Sequence, residues 1–241
     1  MKALILAGGR GKRLNEHSEQ QNKCMISING KPTIEYSLQC AVNARISEII
    51  IVVGYKAEEI VNLYGNNYKG KKIKYVIQHD QKGLVHAIEC AKAAIGDDDF
   101  MLMLGDELMM GPRHREMMDV FEKERLFGIC GVVKVEDVSL IHNTYSIIES
   151  NDNQIYRLIE KPSKPMNNSM GTGNCIFRNE ILCYIGQTPI NQKRGEKELP
   201  DLIQCAIDNG NIVKSFIICN RYFNINSNEE LQEANSYFAH P

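Results

Sequence analysis

The chain has 241 residues, and 43% of them are hydrophobic, which suits one large α/β domain or two small ones. Its 28 lysines and arginines nearly balance its 30 aspartates and glutamates, and this formal net charge of −2 argues against nucleic acid as the main partner. The apolar runs all fall short of the roughly 18 residues that span a bilayer, so we expect no membrane segment.

Cysteine usage and the first residues indicate the compartment. The eight cysteines are scattered without a Cys-x-x-Cys pair, whereas a disulfide framework or a zinc site needs closer grouping. The short apolar run that opens the chain continues into Gly-Gly-Arg-Gly-Lys-Arg instead of a signal-peptide cleavage site. We therefore expect reduced thiols and a cytoplasmic protein.

Strand and helix patterns alternate through the first half of the chain. The predicted strands are apolar and β-branched, and they are Lys2–Ala7, Glu48–Val53, Lys74–Gln78 and Phe100–Leu104. The predicted helices have apolar residues at helical spacing, and they are Thr33–Ala44, Ala57–Tyr64 and Gly83–Ile95. Apolar strands that alternate with helices indicate a parallel sheet covered on both faces.

Beyond residue 130 the predicted strands follow one another through short turns. They are Gly131–Val135, Thr144–Glu149, Ile155–Glu160, Gly173–Phe177 and Ile212–Cys219, with helices at Leu199–Asn209 and Asn228–Phe238. We predict an α/β fold of the Rossmann-like, three-layer α/β/α kind with a mixed, mostly parallel central sheet. The chain is predicted to be a single domain whose halves, residues 1–130 and 131–241, share that sheet.

The segment from Leu6 to Leu14 is rich in glycine and cationic residues, and it follows the first predicted strand. Glycine lets backbone N–H groups approach phosphate oxygens, and the planar guanidinium of Arg13 suits a phosphate. A P-loop would need glycine at Leu6, and a dinucleotide fingerprint starting at Gly9 would need glycine at Leu14. The segment predicts a different phosphate-binding loop; the alternative is a plain strand-to-helix turn with surface cations.

Two polar residues at strand ends are further candidates. Asp106 follows an apolar strand at the sheet edge where ligand crevices form, and its carboxylate there suits Mg²⁺. Gln78 ends another strand, and its amide offers a donor and an acceptor to the edge of a base, for which a pyrimidine is the natural fit. The alternatives are a turn aspartate and a glutamine that faces water.

Several short motifs occur in a specific order over nearly the whole chain. They are Gly8-Gly9-x-Gly11-x-Arg13-Leu14, Lys23, Asn29-Gly30-Lys31-Pro32, Gln78 with Gly83, Leu104-Gly105-Asp106, Glu160-Lys161-Pro162, Arg194-Gly195-Glu196 and Tyr222–Leu231. Together they resemble the sugar-phosphate nucleotidylyltransferases, the family of glucose-1-phosphate thymidylyltransferases and related NDP-sugar pyrophosphorylases. The resemblance implies a nucleotidyltransferase fold and the transfer of a nucleoside monophosphate from a nucleoside triphosphate to a sugar 1-phosphate, with release of pyrophosphate.

The resemblance also implies roles for the matching residues. The catalytic residues would be Arg13, Lys23 and Asp106. The nucleotide would contact Leu6, Ala7, Gly8, Gly9, Gly11, Lys12, Arg13, Lys23, Gln78, Gly83 and Asp106, all in the first half. The phosphorylated acceptor would contact Glu160, Lys161, Gly173, Asn174 and Arg194 in the second half. Mg²⁺ would bind Asp106, with Asn224 as the candidate second ligand and Glu107 as a support for Asp106.

Three departures from the family pattern keep other interpretations open. Lys12 stands where threonine is usual, Asn22-Lys23-Cys24 where Pro-Lys-Pro is common, and Asn224 where an aspartate is usual. They leave room for a CTP-dependent enzyme that acts on a phosphonate, phosphocholine or a polyol phosphate. A non-catalytic sensor of the same fold is an alternative of another class, against which the three predicted catalytic residues argue. The base, the acceptor and the oligomeric state are undecided, so a homo-oligomer stays open.

Overall fold

The computed structural model describes residues 1–9, 21–225 and 227–239. The helices are α1 (Thr33–Asn43), α2 (Ala57–Tyr64), α3 (Leu84–Ile95), α4 (His114–Lys123), α5 (Leu199–Asp208) and α6 (Asn228–Ala239). The strands of the first half are β1 (Lys2–Ala7), β2 (Ser27–Ile28), β3 (Lys31–Pro32), β4 (Ile49–Val53), β5 (Asn67–Tyr68), β6 (Lys71–Ile77), β7 (Phe100–Leu104), β8 (Glu107–Met110) and β9 (Gly128–Lys134). They are followed by β10 (Tyr145–Glu149), β11 (Ile155–Glu160), β12 (Ser169–Phe177), β13 (Ile190–Asn191), β14 (Glu196–Lys197), β15 (Val213–Ile217) and β16 (Arg221–Asn224).

In the described part of the chain, the central sheet has ten strands, in the order β11-β10-β12-β7-β1-β4-β6-β5, with β9 paired to β12 and β15 paired to β9. Strand β1 lies between β4 and β7 and is parallel to both, and β4 is parallel to β6. The direction reverses at β12, which is antiparallel to β7, β9 and β10. The predicted α/β fold with a mixed, mostly parallel sheet is confirmed.

Helices cover both faces of this sheet. In β1, Ala3 and Ile5 belong to one buried cluster, and Leu4 belongs to the other. The first cluster includes apolar residues of α1, α2 and α4, and the second includes those of α3 and α5. Because both faces are buried, the central strands are apolar throughout instead of alternating with polar residues.

A smaller hydrophobic cluster packs the end of the described chain beside the sheet. It includes Leu108 of β8, Phe223 of β16 and Phe238 of α6. Strands β8 and β16 pair antiparallel, and their register places Asn224 opposite Glu107. The segment after Asp106 is therefore joined to a segment more than a hundred residues later in the chain.

The differences from the predicted elements have local causes. Helix α4 is absent from the prediction, although Met117, Met118 and Phe121 form a buried face at helical spacing. Strands β9 and β12 both begin earlier than predicted, because they pair with each other on either side of a register shift between Gly171 and Cys175. Glycine and polar residues at that shift weaken the strand pattern in the sequence.

Three further predictions concern the chain as a whole. All eight cysteines are free thiols, as predicted. In the described part of the chain, no helix combines the length and the apolar character needed to cross a membrane. Strands from both predicted halves join the central sheet, while the division into a nucleotide half and an acceptor half stays a prediction.

Candidate active site

A cavity of about 430 Å³ opens at the carboxyl ends of β1, β6 and β7. The predicted site residues that line it are Leu6, Gly8, Gly9, Lys23, Gln78, Gly83 and Asp106. Parallel strands end at the same edge of a sheet, so residues that are distant in sequence converge there. The predicted residues Gly11, Lys12 and Arg13 lie outside the described residues.

A short 3-10 turn holds Lys23 at this cavity. The preceding Asn22 is fully buried, and its side-chain nitrogen donates to the carbonyl oxygens of Ala7 at 3.1 Å and Tyr55 at 2.7 Å. Lys23 is 8% exposed, and its ammonium forms an ion pair with the carboxylate of Asp106. The buried Asn22 thus fixes a cation beside the carboxylate that follows β7.

The glycine-rich end of β1 packs tightly against the neighbouring strand. A Cβ on Gly54, just after β4, would lie 2.8 Å from the carbonyl oxygen of Gly8. That oxygen also accepts a hydrogen bond from the side chain of Gln81 at 2.6 Å. The wall of the cavity at this point is therefore backbone, which is the surface that a phosphate or a base approaches most closely.

Gln78 and Gly83 lie together in the same cavity. Gln78 is 6% exposed, and its Nε2 lies 3.1 Å from the carbonyl oxygen of Gly83 and 3.0 Å from Nδ1 of His86. Gly83 has a φ of +91°, and a Cβ there would lie 2.6 Å from the carboxylate of Glu196. Both the backbone conformation and the close approach require glycine. Glu196 belongs to the predicted acceptor segment, so its position beside Gly83 brings that segment next to the predicted base-binding segment.

Glu107, next to Asp106, is the buried centre of a hydrogen-bond network. Its carboxylate accepts from the hydroxyl of Tyr222 at 2.6 Å, the backbone N–H of Gly173 at 2.9 Å and the side-chain amide of Asn174 at 2.6 Å. Burial raises the pKa of Glu107 to about 7, although the Tyr222 hydrogen bond acts in the opposite direction. One carboxylate therefore ties β8, β12 and β16 together directly behind Asp106.

Gly173 and Asn174 support this network and are not among the residues that line the cavity. Asn174 is 2% exposed, and its Oδ1 accepts from Nε2 of His114 at 2.7 Å. A Cβ on Gly173 would lie 2.2 Å from Cγ of Leu104, so that position has no room for a side chain. These contacts act on Glu107, and direct contact of the two residues with an acceptor stays a prediction.

The other predicted acceptor residues form one charged cluster. Arg194 lies 3.5 Å from a carboxylate oxygen of Glu160 and 3.0 Å from one of Glu198, and Lys161 lies 3.0 Å from Glu160. Burial raises the pKa of both Glu160 and Glu198. Arg194 also lies 3.5 Å from Glu196, which lines the cavity, so the cluster adjoins the predicted nucleotide site.

The two predicted metal ligands lie on neighbouring segments. Asn224 is opposite Glu107 in the paired strands, and the N–H of Ile225 donates to the carbonyl oxygen of Asp106 at 3.3 Å. The side chain of Asp106 is 19% exposed. Within residues 1–9, 21–225 and 227–239, no three His, Cys, Asp or Glu side chains are grouped to hold a metal ion. Asp106 is thus a partly exposed carboxylate that lines the cavity.

Comparison with known proteins places the chain in a family. Residues 2–226 match a family model described as nucleotidyl transferase. The chain belongs to the nucleotidyl transferase family. Over 238 residues it is 34% identical to the UTP–glucose-1-phosphate uridylyltransferase AglF of Haloferax volcanii, a match that covers 97% of this chain and 95% of that protein.

Other relatives of this nucleotidyltransferase carry related names. The UTP–glucose-1-phosphate uridylyltransferase of Bacillus subtilis is 34% identical, with 84% of this chain and 79% of that protein covered. The glucose-1-phosphate thymidylyltransferase of Streptomyces griseus is 30% identical, with 98% of this chain but 65% of that protein covered. A crystal structure of UDP-glucose pyrophosphorylase complexed with UDP-glucose has a TM-score of 0.89 at 22% identity and covers 99% of this chain and 98% of that one. The predicted family and enzyme class are confirmed, and the last comparison supports the fold.

Some residues of the cavity are missing from the sequence predictions. Gln81 and Cys24 line it beside predicted residues, and Glu196 lines it from the acceptor segment. Glu196 stands in the Arg194-Gly195-Glu196 motif, which is the signal that was available for it. Gln81 lies in a polar loop where no spacing distinguishes it from its exposed neighbours.

Proposed function

We propose that this nucleotidyltransferase transfers a nucleoside monophosphate from a pyrimidine nucleoside triphosphate to a sugar 1-phosphate, and so forms an NDP-sugar and pyrophosphate. The observation that carries the proposal is the convergence in one cavity of Gly8 and Gly9, the Lys23–Asp106 ion pair and Gln78. The charged cluster around Arg194 adjoins that cavity. The names of the uridylyltransferase and thymidylyltransferase relatives support this choice of substrates.

The reaction brings two anions together. An acceptor phosphate oxygen attacks the α-phosphorus, and a new P–O bond forms as the bond from that phosphorus to the bridging oxygen breaks. The bridging oxygen leaves with the electron pair on pyrophosphate. Because the attacking oxygen is already an anion at neutral pH, the step needs no general base, and catalysis depends on positioning and charge stabilisation.

In this proposal the cations of the cavity bind the triphosphate, and the cations of the charged cluster bind the acceptor phosphate. Lys23 faces the triphosphate from its place beside Asp106, and Arg13 is predicted to add a second cation to the leaving oxygens. Lys161 and Arg194 neutralise the phosphate of the acceptor, while Glu160 accepts hydrogen bonds from its hydroxyl groups. The two substrates then meet between the cavity and the cluster.

The residues around Asp106 suit Mg²⁺. This ion binds through one or two carboxylates together with substrate phosphates and water. The carboxylate of Asp106 is partly exposed and has Lys23 as its ion-pair partner, whereas that of Glu107 is buried and accepts hydrogen bonds from Tyr222 and Gly173. Asp106, with Asn224 beside it, would hold the ion, and the phosphates of the nucleotide would supply the remaining negative ligands. Bound there, Mg²⁺ would neutralise charge on the triphosphate.

We also propose that the protein works in the cytoplasm. Its eight thiols are free, and reducing compartments keep thiols in that state.

A pyrophosphate-release assay tests the proposed reaction. The parent and Asp106→Asn should each be mixed with Mg²⁺ and one of UTP, dTTP, CTP, ATP or GTP. Each mixture should contain glucose 1-phosphate, another sugar 1-phosphate, phosphocholine or glycerol phosphate. We expect release by the parent that requires both a pyrimidine triphosphate and a sugar 1-phosphate.

The same panel separates the alternatives. Release with CTP and phosphocholine or glycerol phosphate, and with neither sugar phosphate, would contradict the proposal and support a cytidylyltransferase. Nucleotide binding without release from any mixture would support a non-catalytic sensor.

A further inference from the structure

The neighbours of Gln78 fix the orientation of its side-chain amide at the cavity. Nε2 of Gln78 lies 3.1 Å from the carbonyl oxygen of Gly83 and 3.0 Å from Nδ1 of His86. A carbonyl oxygen can only accept, so the group that faces Gly83 must be the NH₂ of the amide. The second hydrogen of that NH₂ faces Nδ1 of His86, which accepts it in the tautomer whose proton sits on Nε2.

The oxygen of the same amide consequently faces Gly8, at the wall of the cavity. Oε1 of Gln78 lies 3.1 Å from the position that a Cβ on Gly8 would occupy, and both residues line the cavity. Among the described residues, none donates a hydrogen bond to this oxygen. Gln78 therefore presents a hydrogen-bond acceptor, and not a donor, to a bound base.

An acceptor in this place distinguishes the pyrimidine bases from one another. Uracil and thymine carry a proton on N3, so their N3–H can donate to Oε1. The N3 of cytosine carries a lone pair instead, which would face the lone pairs of Oε1 and leave both groups without a hydrogen bond. A site built to hydrogen-bond one group discriminates strongly against a ligand that lacks it.

We propose that His86, by fixing the amide of Gln78, makes this site select uracil and thymine nucleotides over CTP. His86 lies half-buried in the first turn of α3, is not among the cavity-lining residues, and packs 3.8 Å from the sulfur of Cys90 one turn later. It is therefore a positioning residue that acts through Gln78. The inference rests on the proposed function and narrows its donor from any pyrimidine triphosphate to UTP or dTTP.

Removing the acceptor at position 86 should weaken the selection. In His86→Leu one hydrogen of the Gln78 amide loses its partner, so only Gly83 still favours the observed orientation. In His86→Gln the side-chain oxygen can accept that hydrogen again. Cys90→Ala removes the sulfur contact of the ring without altering a contact of Gln78, and it is the matched control.

Calorimetric titration with UTP, dTTP and CTP, each with Mg²⁺ and without an acceptor, tests the inference. The parent should bind UTP and dTTP about 10- to 100-fold more tightly than CTP. His86→Leu should reduce that ratio at least about fivefold, while His86→Gln and Cys90→Ala keep it. A merely structural role of His86 would weaken the binding of all three nucleotides together and leave the ratio unchanged.

Failure of the inference and failure of the proposed function give different results. Equal or tighter binding of CTP by the parent, no binding of any of the three, or an unchanged ratio in His86→Leu would overturn the inference. Selective binding of UTP and dTTP without pyrophosphate release from any sugar 1-phosphate would refute the proposed function and leave the inference standing.

Discussion

Replacing the buried Glu107 with glutamine should change how the stability of the chain depends on pH. Burial raises the pKa of Glu107 from 4.5 to about 7 in the folded chain. A carboxyl group with a raised folded pKa makes its full contribution to stability below the unfolded pKa and loses it as pH rises through the folded pKa. At about 1.4 kcal/mol per pKa unit, ionisation of Glu107 lowers the unfolding free energy by about 3 kcal/mol. This decrease begins near the unfolded pKa of 4.5 and is complete above about pH 7. The variant has no such loss.

The glutamine variant should still fold, because the network can adapt to it. The new amide oxygen can accept from Tyr222 and Gly173 as the carboxylate does. Its NH₂ needs an acceptor, which Asn174 supplies if its own amide turns over. His114 permits that turn, because its Nδ1 has no hydrogen-bond partner in the described structure, and the ring can exchange its tautomer.

Urea unfolding followed by circular dichroism, without Mg²⁺ or nucleotide, measures this effect. Between about pH 4 and pH 8, the unfolding free energy of the parent should fall by about 3 kcal/mol relative to Glu107→Gln. The control is Glu122→Gln on the exposed side of α4, which should follow the parent. Parallel curves for the parent and Glu107→Gln would refute the interpretation of Glu107 as a carboxyl group that burial keeps from ionising.

Further predictions concern the charged groups of the cavity. Lys23→Ala should lower kcat by about 10²- to 10³-fold with the circular dichroism spectrum retained, because a cation that stabilises the leaving oxygens is lost, whereas the exposed Lys92→Ala should leave kcat unchanged. Arg13→Ala is predicted to lose most turnover as well, and near-normal pyrophosphate release in both variants would contradict the triphosphate role. Asp106→Asn should raise the Mg²⁺ concentration needed for half-maximal activity far more than Asn224→Ala, because a carboxylate carries charge and an amide does not. Full activity in excess chelator would contradict the role of Mg²⁺.

Much of the fold follows from local sequence patterns. Strands β1, β7 and β11 and helix α2 have the predicted bounds, because each is a marked apolar run or an amphipathic repeat with clear ends. The short strands β8 and β16 are different, because each forms only by pairing with the other across the chain. Their sequences carry no signal of that long-range pairing.

The same contrast holds for the candidate site. Lys23, Gln78, Gly83 and Asp106 were predicted from motifs, and the structure brings them to one cavity. The Glu107 network was not predictable, because its partner Tyr222 lies 115 positions away and the bond depends on tertiary packing. The acceptor character of Gln78 was also hidden, since a glutamine offers both a donor and an acceptor until its neighbours fix its orientation.

Phosphorus NMR of a mixture of the parent, Mg²⁺, UTP and glucose 1-phosphate tests the central claim most directly. The proposed reaction predicts loss of the sugar monophosphate signal and equal growth of an NDP-sugar diphosphate pair and of pyrophosphate. With dTTP in place of UTP, the same pattern should appear. Pyrophosphate that forms with UMP and an unchanged sugar phosphate signal, or no new signal with either nucleotide and any sugar 1-phosphate, would contradict the claim.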